Sequence, residues 1–121
     1  MYRVAELRTV EARHAGEPLM ERAGAAAADV ARAIASGHSG PIVVLAGPGN
    51  NGGDGFVVAR LLRAGFFEVH VVFRSDPAAL PADALAAYRA YVAAGGATVA
   101  DPPPARPAIV VDALFGIGLS R

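Results

Sequence analysis

The run VVLAGPGNNGGDGFVVARLL, Val43 to Leu62, constrains this chain more than any other, because glycines, an asparagine pair and an aspartate separate two apolar segments. PIVVLA, residues 41–46, is a short continuous apolar run rich in β-branched side chains, the pattern of a strand buried on both faces. FVVARLLRAG, residues 56–65, returns to helical spacing and stops at Gly65. A strand therefore feeds a helix through a glycine-rich turn.

The same two textures alternate along the rest of the chain. GEPLMERAGAAAADVARAIASG, residues 16–37, predicts a helix with Pro18 near its first turn and Gly37 past its end, and with Leu19, Ala23, Ala27, Val30 and Ile34 as its apolar stripe. Residues 4–14 are weakly helical. EVHVVF at 68–73 predicts a second strand, and residues 81–94 an amphipathic helix on Leu85, Tyr88 and Val92, closed by Gly95 and Gly96. ATVA is a weaker third strand, DPPPARP a stiff extended connector, and AIVVDALFGIG a buried strand that runs into another glycine turn. Alternating strands and helices imply an α/β domain, an open parallel sheet with helices on both sides.

Composition narrows the chemistry. At 121 residues the chain holds one domain with a modest core and is short for an enzyme that encloses a substrate alone, so part of a larger domain is expected. Cationic and anionic side chains both number 11 and no basic run occurs, so neither nucleic acid nor an anionic membrane face is an expected partner. Every cation is an arginine; without lysine there is no Schiff base and no P-loop lysine. Without cysteine there is no thiolate catalysis, no Cys-ligated metal and no disulfide, which agrees with a reducing cytoplasm. No run has the length of a signal-peptide core or a membrane span, and a soluble cytoplasmic protein is the expectation.

In an open parallel sheet, ligands bind outside the carboxyl ends of the strands. Two segments should leave such ends with unusual chemistry. In the first, Gly47, Gly49 and Gly52 have the spacing G-x-G-x-x-G between strand and helix, which can bring backbone amides to a phosphate at a helix N-terminus. Alternatively, the glycines serve only positive φ and close packing. Asn50 and Asn51 are the only carboxamides in the chain, and Asp54 is expected at the helix start, as a cap of the free amides. The second segment begins at Asp112, which follows Ile109, Val110 and Val111 and should emerge beside the first if the two strands are neighbours. A carboxylate there can act as general acid or base, ligate a hard cation, or cap the following turn through the Gly116 and Gly118 amides.

Together, LMERAG at 19–24, GPGNNGGDGFVVAR at 47–60 and DALFGIGLSR at 112–121 resemble the YjeF N-terminal domain family, whose enzymatic members are NAD(P)H-hydrate epimerases. The blocks occur in the family's order and span nearly the whole chain, and the middle block is specific where G-x-G-x-x-G alone is not. The resemblance implies a Rossmann-like three-layer αβα sandwich, one domain over residues 1–121, truncated on its C-terminal side because the family's later strands and a DxPSG-like segment are absent. It implies that Asn50, Asn51, Gly52, Gly53 and Asp54 form one substrate segment and Gly116, Ile117, Gly118, Leu119, Ser120 and Arg121 the start of a second. It further implies that Asn51 and Asp112 ligate K+, that Asp112 is the catalytic acid or base, and that the substrates are NADHX and NADPHX. A homodimer and a fused dehydratase (kinase-like) domain belong to the same expectation, as does weak activity from an open site.

Other readings compete with that one. An NAD(P)-dependent oxidoreductase is suggested by Arg74, which follows the second strand where a 2′-phosphate partner would sit, but Pro48 and the asparagine pair argue against it. A non-catalytic binding module is the main alternative; a small-molecule kinase finds no ATP signature. His14, His38 and His70 lie at no ligand spacing, Tyr88 and Tyr91 read as packing residues, and Met20 as core.

Overall fold

A computed structural model describes residues 19–120. The expected helix at 4–14, His14, Pro18 and Arg121 lie outside the described residues. The elements are α1 (Leu19–Ala35), β1 (Ile42–Ala46), α2 (Asn50–Ala64), β2 (Val69–Val72), a 3-10 turn (Pro77–Ala79), α3 (Ala82–Ala93), β3 (Thr98–Val99), β4 (Ile109–Ala113) and β5 (Gly118–Ser120). They build a five-stranded sheet in the order β3-β2-β1-β4-β5. Strands β1 to β4 pair in parallel, with Ile42 opposite both Val69 and Ile109 and Leu45 opposite both Val72 and Asp112. The exception is β5, which turns back antiparallel along β4 and places Val111 opposite Leu119. The fold is α/β and Rossmann-like, with a mostly parallel and incomplete sheet.

Alternation along the strands assigns the two faces. Ile42, Val44, Val71, Ile109, Val111 and Leu119 are buried on one face, beneath α2. Helix α2 packs on β1, β2 and β4, and α1 and α3 each pack on α2, so all three helices lie in one layer with α2 in the middle. The opposite face, which presents Leu45, Val110 and Asp112, carries no helix among the described residues. Of the expected three layers, the described residues supply the sheet and one layer of helices, as an incomplete sandwich does.

The expected apolar stripes of α1 and α3 hold at Ala27, Val30, Ile34, Leu85 and Tyr88, which join or pack against the core, and fail at one residue each. In α1 the buried positions are Gly24 to Ala28, Ala31 and Ala35, whereas Leu19 is exposed. In α3 they are Ala84, Ala87 and Tyr91, whereas Val92 is exposed. Close approach explains the first: a Cβ on Gly24 would lie 2.4 Å from Val57 Cγ1 of α2, so α1 must turn its smallest residues to its neighbour and leave larger ones at the rim. The same small-residue contact recurs where Ala84 of α3 meets Gly53 of α2, with the Ala84 Cα 2.8 Å from where a Gly53 Cβ would stand.

One ion pair joins two of the sequence blocks. Arg60 Nη2 of α2 donates to both carboxylate oxygens of Glu21 in α1, at 2.8 Å each. In the core, Phe56 meets Phe73 and Tyr88 edge-on, with ring centroids 5.3 and 5.2 Å apart, contacts of about 0.5–1.5 kcal/mol each beyond area burial. The Tyr91 hydroxyl donates to the Ala97 carbonyl, and burial raises its pKa above the ordinary tyrosine value. Tyr88 and Tyr91 are thus packing residues, as expected.

Candidate functional site

The strand order fixes where a ligand can enter. From β1 the chain moves through α2 to β2 and through α3 to β3 on one side, whereas β4 lies on the other side of β1. The connections leaving β1 and β4 therefore diverge at the carboxyl edge, the topological switch point where open α/β sheets bind ligands. The condition set by the sequence is met: the two strands are neighbours, with Leu45 opposite Asp112 and Ala46 opposite Ala113. The hydrogen bond from Gly47 N–H to the Ala113 carbonyl, at 3.1 Å, holds the two exits together.

Helix α2 begins earlier than its apolar pattern suggests. Its N-cap is Gly49 and its first residues are Asn50 and Asn51, so Asp54 lies a full turn inside the helix and is not its cap. The expected capping role of Asp54 is corrected accordingly. Gly49 has no side chain with which to cap the helix, and the first turn holds no acidic residue, so no carboxylate of that turn offsets the N-terminal dipole. Asn50 is exposed and Asn51 half-buried.

Close packing accounts for most of the glycines. A Cβ on Gly52 would stand 2.0 Å from the Gly47 carbonyl oxygen, and one on Gly55 2.9 Å from Ala113 Cβ. Backbone thus meets backbone where α2 starts above the ends of β1 and β4. Neither residue adopts positive φ, so the close-packing half of the alternative reading holds and the positive-φ half does not. A Cβ on Gly49, by contrast, would meet nothing within 4 Å, so this glycine faces open space.

Asp112 stands near the carboxyl end of β4, half-buried, on the face opposite the helices. Its Oδ1 accepts the Leu114 N–H at 3.1 Å, and among the described residues no donor meets Oδ2. The cap of the following turn runs to Leu114 and not to the Gly116 or Gly118 amides. Because Asn51 belongs to the helical layer and Asp112 to the other face, a ligand that touches both must sit over the edge of the sheet, above Gly47.

A recess of about 200 Å³ opens beside Asp112, lined also by Phe115, Gly116, Ile117 and Gly118. Gly118, Leu119 and Ser120, expected in a loop, form strand β5, and Leu119 is fully buried in the core. Asp112, Gly116, Ile117 and Gly118 therefore share one wall, whereas Leu119 supports it from behind. Phe115 is the residue that sequence reasoning passes over; its position between Leu114 and Gly116, in a turn after a strand, is the available signal.

The residues behind the competing readings are otherwise engaged. Arg74 Nε donates to the Ala100 carbonyl at 2.7 Å and Nη2 to Asp101 at 3.2 Å, which ties it to the β3 end of the sheet. His70 pairs with Glu68 at 2.7 Å. No group of three or more His, Cys, Asp or Glu side chains among the described residues can hold a metal, and no described helix is long and apolar enough to cross a membrane.

Comparison with known proteins agrees with this layout. The family described as YjeF-related protein N-terminus matches residues 16–121. The chain is 51% identical to a protein of Bordetella pertussis (strain Tohama I) named NAD(P)H-hydrate epimerase, over 98% of this chain and 53% of that protein. A protein of the same name from Achromobacter xylosoxidans is 47% identical, over 98% of this chain and 58% of its own length. The bifunctional NAD(P)H-hydrate repair enzyme Nnr of Escherichia coli K12 is 44% identical, over 85% of this chain and 20% of that protein. The chain thus spans about half the length of the two epimerases. By the matched range, by these identities and by a glycine turn and an aspartate placed together at the switch point, the chain belongs to the family of the YjeF-related protein N-terminus.

Proposed function

We propose that this chain carries an NAD(P)H-hydrate epimerase site, which interconverts the R and S forms of NADHX and NADPHX as a metabolite-repair isomerase. The observation that carries the proposal is the placement of Asp112 and the Gly49-capped start of α2 at one switch point. Relatives named for the same activity support it.

In this reading the amides of the first turn of α2 and the Asn50 and Asn51 side chains receive the dinucleotide, with Gly52, Gly53 and Asp54 behind them. Gly116, Ile117 and Gly118 of the second segment close the other side, with Leu119 behind them. Asp112 moves a proton at the C6 oxygen or the ring nitrogen while the C6–O bond opens on one face and re-forms on the other. Its Oδ1 is fixed by the Leu114 N–H, which leaves Oδ2 to face the ligand.

A potassium ion belongs to the same proposal. The donors fit a hard, weakly charged cation, since Asn51 offers an amide oxygen and Asp112 a carboxylate oxygen, while no cluster of His, Cys, Asp or Glu suits a transition metal among the described residues. Bound there, the ion would offset the negative charge gathered by Asp112 and the substrate. A homodimer and a fused dehydratase domain rest on the family resemblance, the latter also on the relative named bifunctional, and a cytoplasmic location rests on the absence of cysteine and of a signal-length apolar run.

The test is a coupled assay in which R-NADPHX is supplied with an S-specific dehydratase and recovery of NADPH is followed. Recovery faster than the spontaneous background, reduced roughly 10²–10⁴-fold in Asp112→Ala, is the expected result. No acceleration by a folded protein would favour the non-catalytic binding module.

A further inference from the structure

We propose that Phe115 covers the hydrated nicotinamide ring of the substrate in the recess beside Asp112, as a positioning residue for the reaction. This rests on the epimerase reading of the same site. Phe115 is 94% exposed, which leaves nearly a whole phenyl ring in water at the mouth of a recess that it also lines. Taking such a side chain out of water is favourable, so a ligand that brings its own apolar or π surface gains by occupying the recess.

The size of the recess limits what fits. At about 200 Å³, below the roughly 300–1,000 Å³ of sites that enclose a drug-sized ligand, it has room for one ring, and the rest of a dinucleotide would lie outside it. Asp112 lies on its wall, which selects the ring on which the carboxylate acts. Local construction favours the same role. A Cβ on Gly116 would meet nothing within 4 Å, so the space beside the phenyl group is open, while the Asp112 to Leu114 hydrogen bond fixes the chain just before it.

Phe66 supplies an internal control. It is 97% exposed, but it follows the C-terminal end of α2, at the turn into β2, and so lies at the opposite edge of the sheet from the switch point. Exposure alone does not distinguish the two phenylalanines; the recess does.

The protein contains no tryptophan, so Phe115→Trp and Phe66→Trp each introduce a lone indole. Emission of each variant of the full chain is titrated with NADPHX and with 2′,5′-ADP, corrected for ligand absorbance, alongside calorimetric binding. The expected result is a shift or quench for Phe115→Trp with NADPHX, none with 2′,5′-ADP, and none for Phe66→Trp. In the coupled assay Phe115→Ala should raise KM roughly tenfold with a smaller effect on kcat, in the range of a lost aromatic–base stack, and Phe115→Tyr should restore it. Calorimetric binding of NADPHX with unchanged Phe115→Trp emission would overturn the role of Phe115 alone. No binding of NADPHX by the unsubstituted chain would overturn the epimerase reading and this inference with it.

Discussion

Gly47 to Gly55 and Asp112 to Gly118 leave neighbouring strands at one edge of the sheet, yet they are built in opposite ways. In the first, a β-carbon on Gly52 or Gly55 would collide with backbone or a core side chain, and Gly52, Gly53 and Gly55 are all buried. In the second, Leu114, Phe115 and Gly116 are exposed, and one hydrogen bond from Leu114 N–H to Asp112 shapes the turn. The first segment is a packing solution that brings a helix start down onto the strand ends. The second is a loosely covered turn that presents a carboxylate and an aromatic ring. Glycine-rich does not mean ligand-binding in itself: here most of the glycines set the geometry, which leaves few side chains for the proposed chemistry.

Substitutions can break that contrast. The largest effect expected is on rate, where Asp112→Ala loses roughly 10²–10⁴-fold in turnover while stability changes by no more than about 1 kcal/mol, the worth of its single bond to Leu114. A variant that unfolds instead would make Asp112 a structural residue. Next comes Gly52→Ala, whose methyl carbon would sit 2.0 Å from the Gly47 carbonyl oxygen. We expect a loss of about 3 kcal/mol, read by denaturant unfolding, because backbone must move to admit it. The smallest effect belongs to Gly116→Ala, where a Cβ meets nothing within 4 Å and φ is not positive, so stability should stay within about 0.5 kcal/mol. Equal losses for Gly52→Ala and Gly116→Ala would erase the distinction between the two segments.

Much of this architecture is legible in the sequence, and the failures have physical causes. PIVVLA and EVHVVF read as strands because continuous β-branched runs fit a buried sheet, and both strands form. The neighbouring placement of β1 and β4 enters only as a condition, since one sequence does not reveal strand order. The stripes of α1 and α3 are read correctly at Ala27, Val30, Ile34, Leu85 and Tyr88 and fail at Leu19 and Val92, where close helix packing selects the neighbouring small residues. The apolar pattern sets the start of α2 too late because Asn50 to Gly53 have low helix propensity; tertiary contact between Gly52 and Gly47 overrides it. Phe115 escapes notice because exposure is a property of the fold. Its place between Leu114 and Gly116, in a turn after a strand, is the one hint the sequence holds.

The central claim is that the two segments act on one ligand. A double-mutant cycle with Asn51→Ala and Asp112→Ala, read as the epimerisation rate of R-NADPHX at saturating potassium, tests it most directly. If both residues face one ligand above Gly47, the double variant should be little slower than Asp112→Ala alone, a coupling of more than about 1 kcal/mol. Losses that simply multiply would place Asn51 and Asp112 in independent roles and contradict the account.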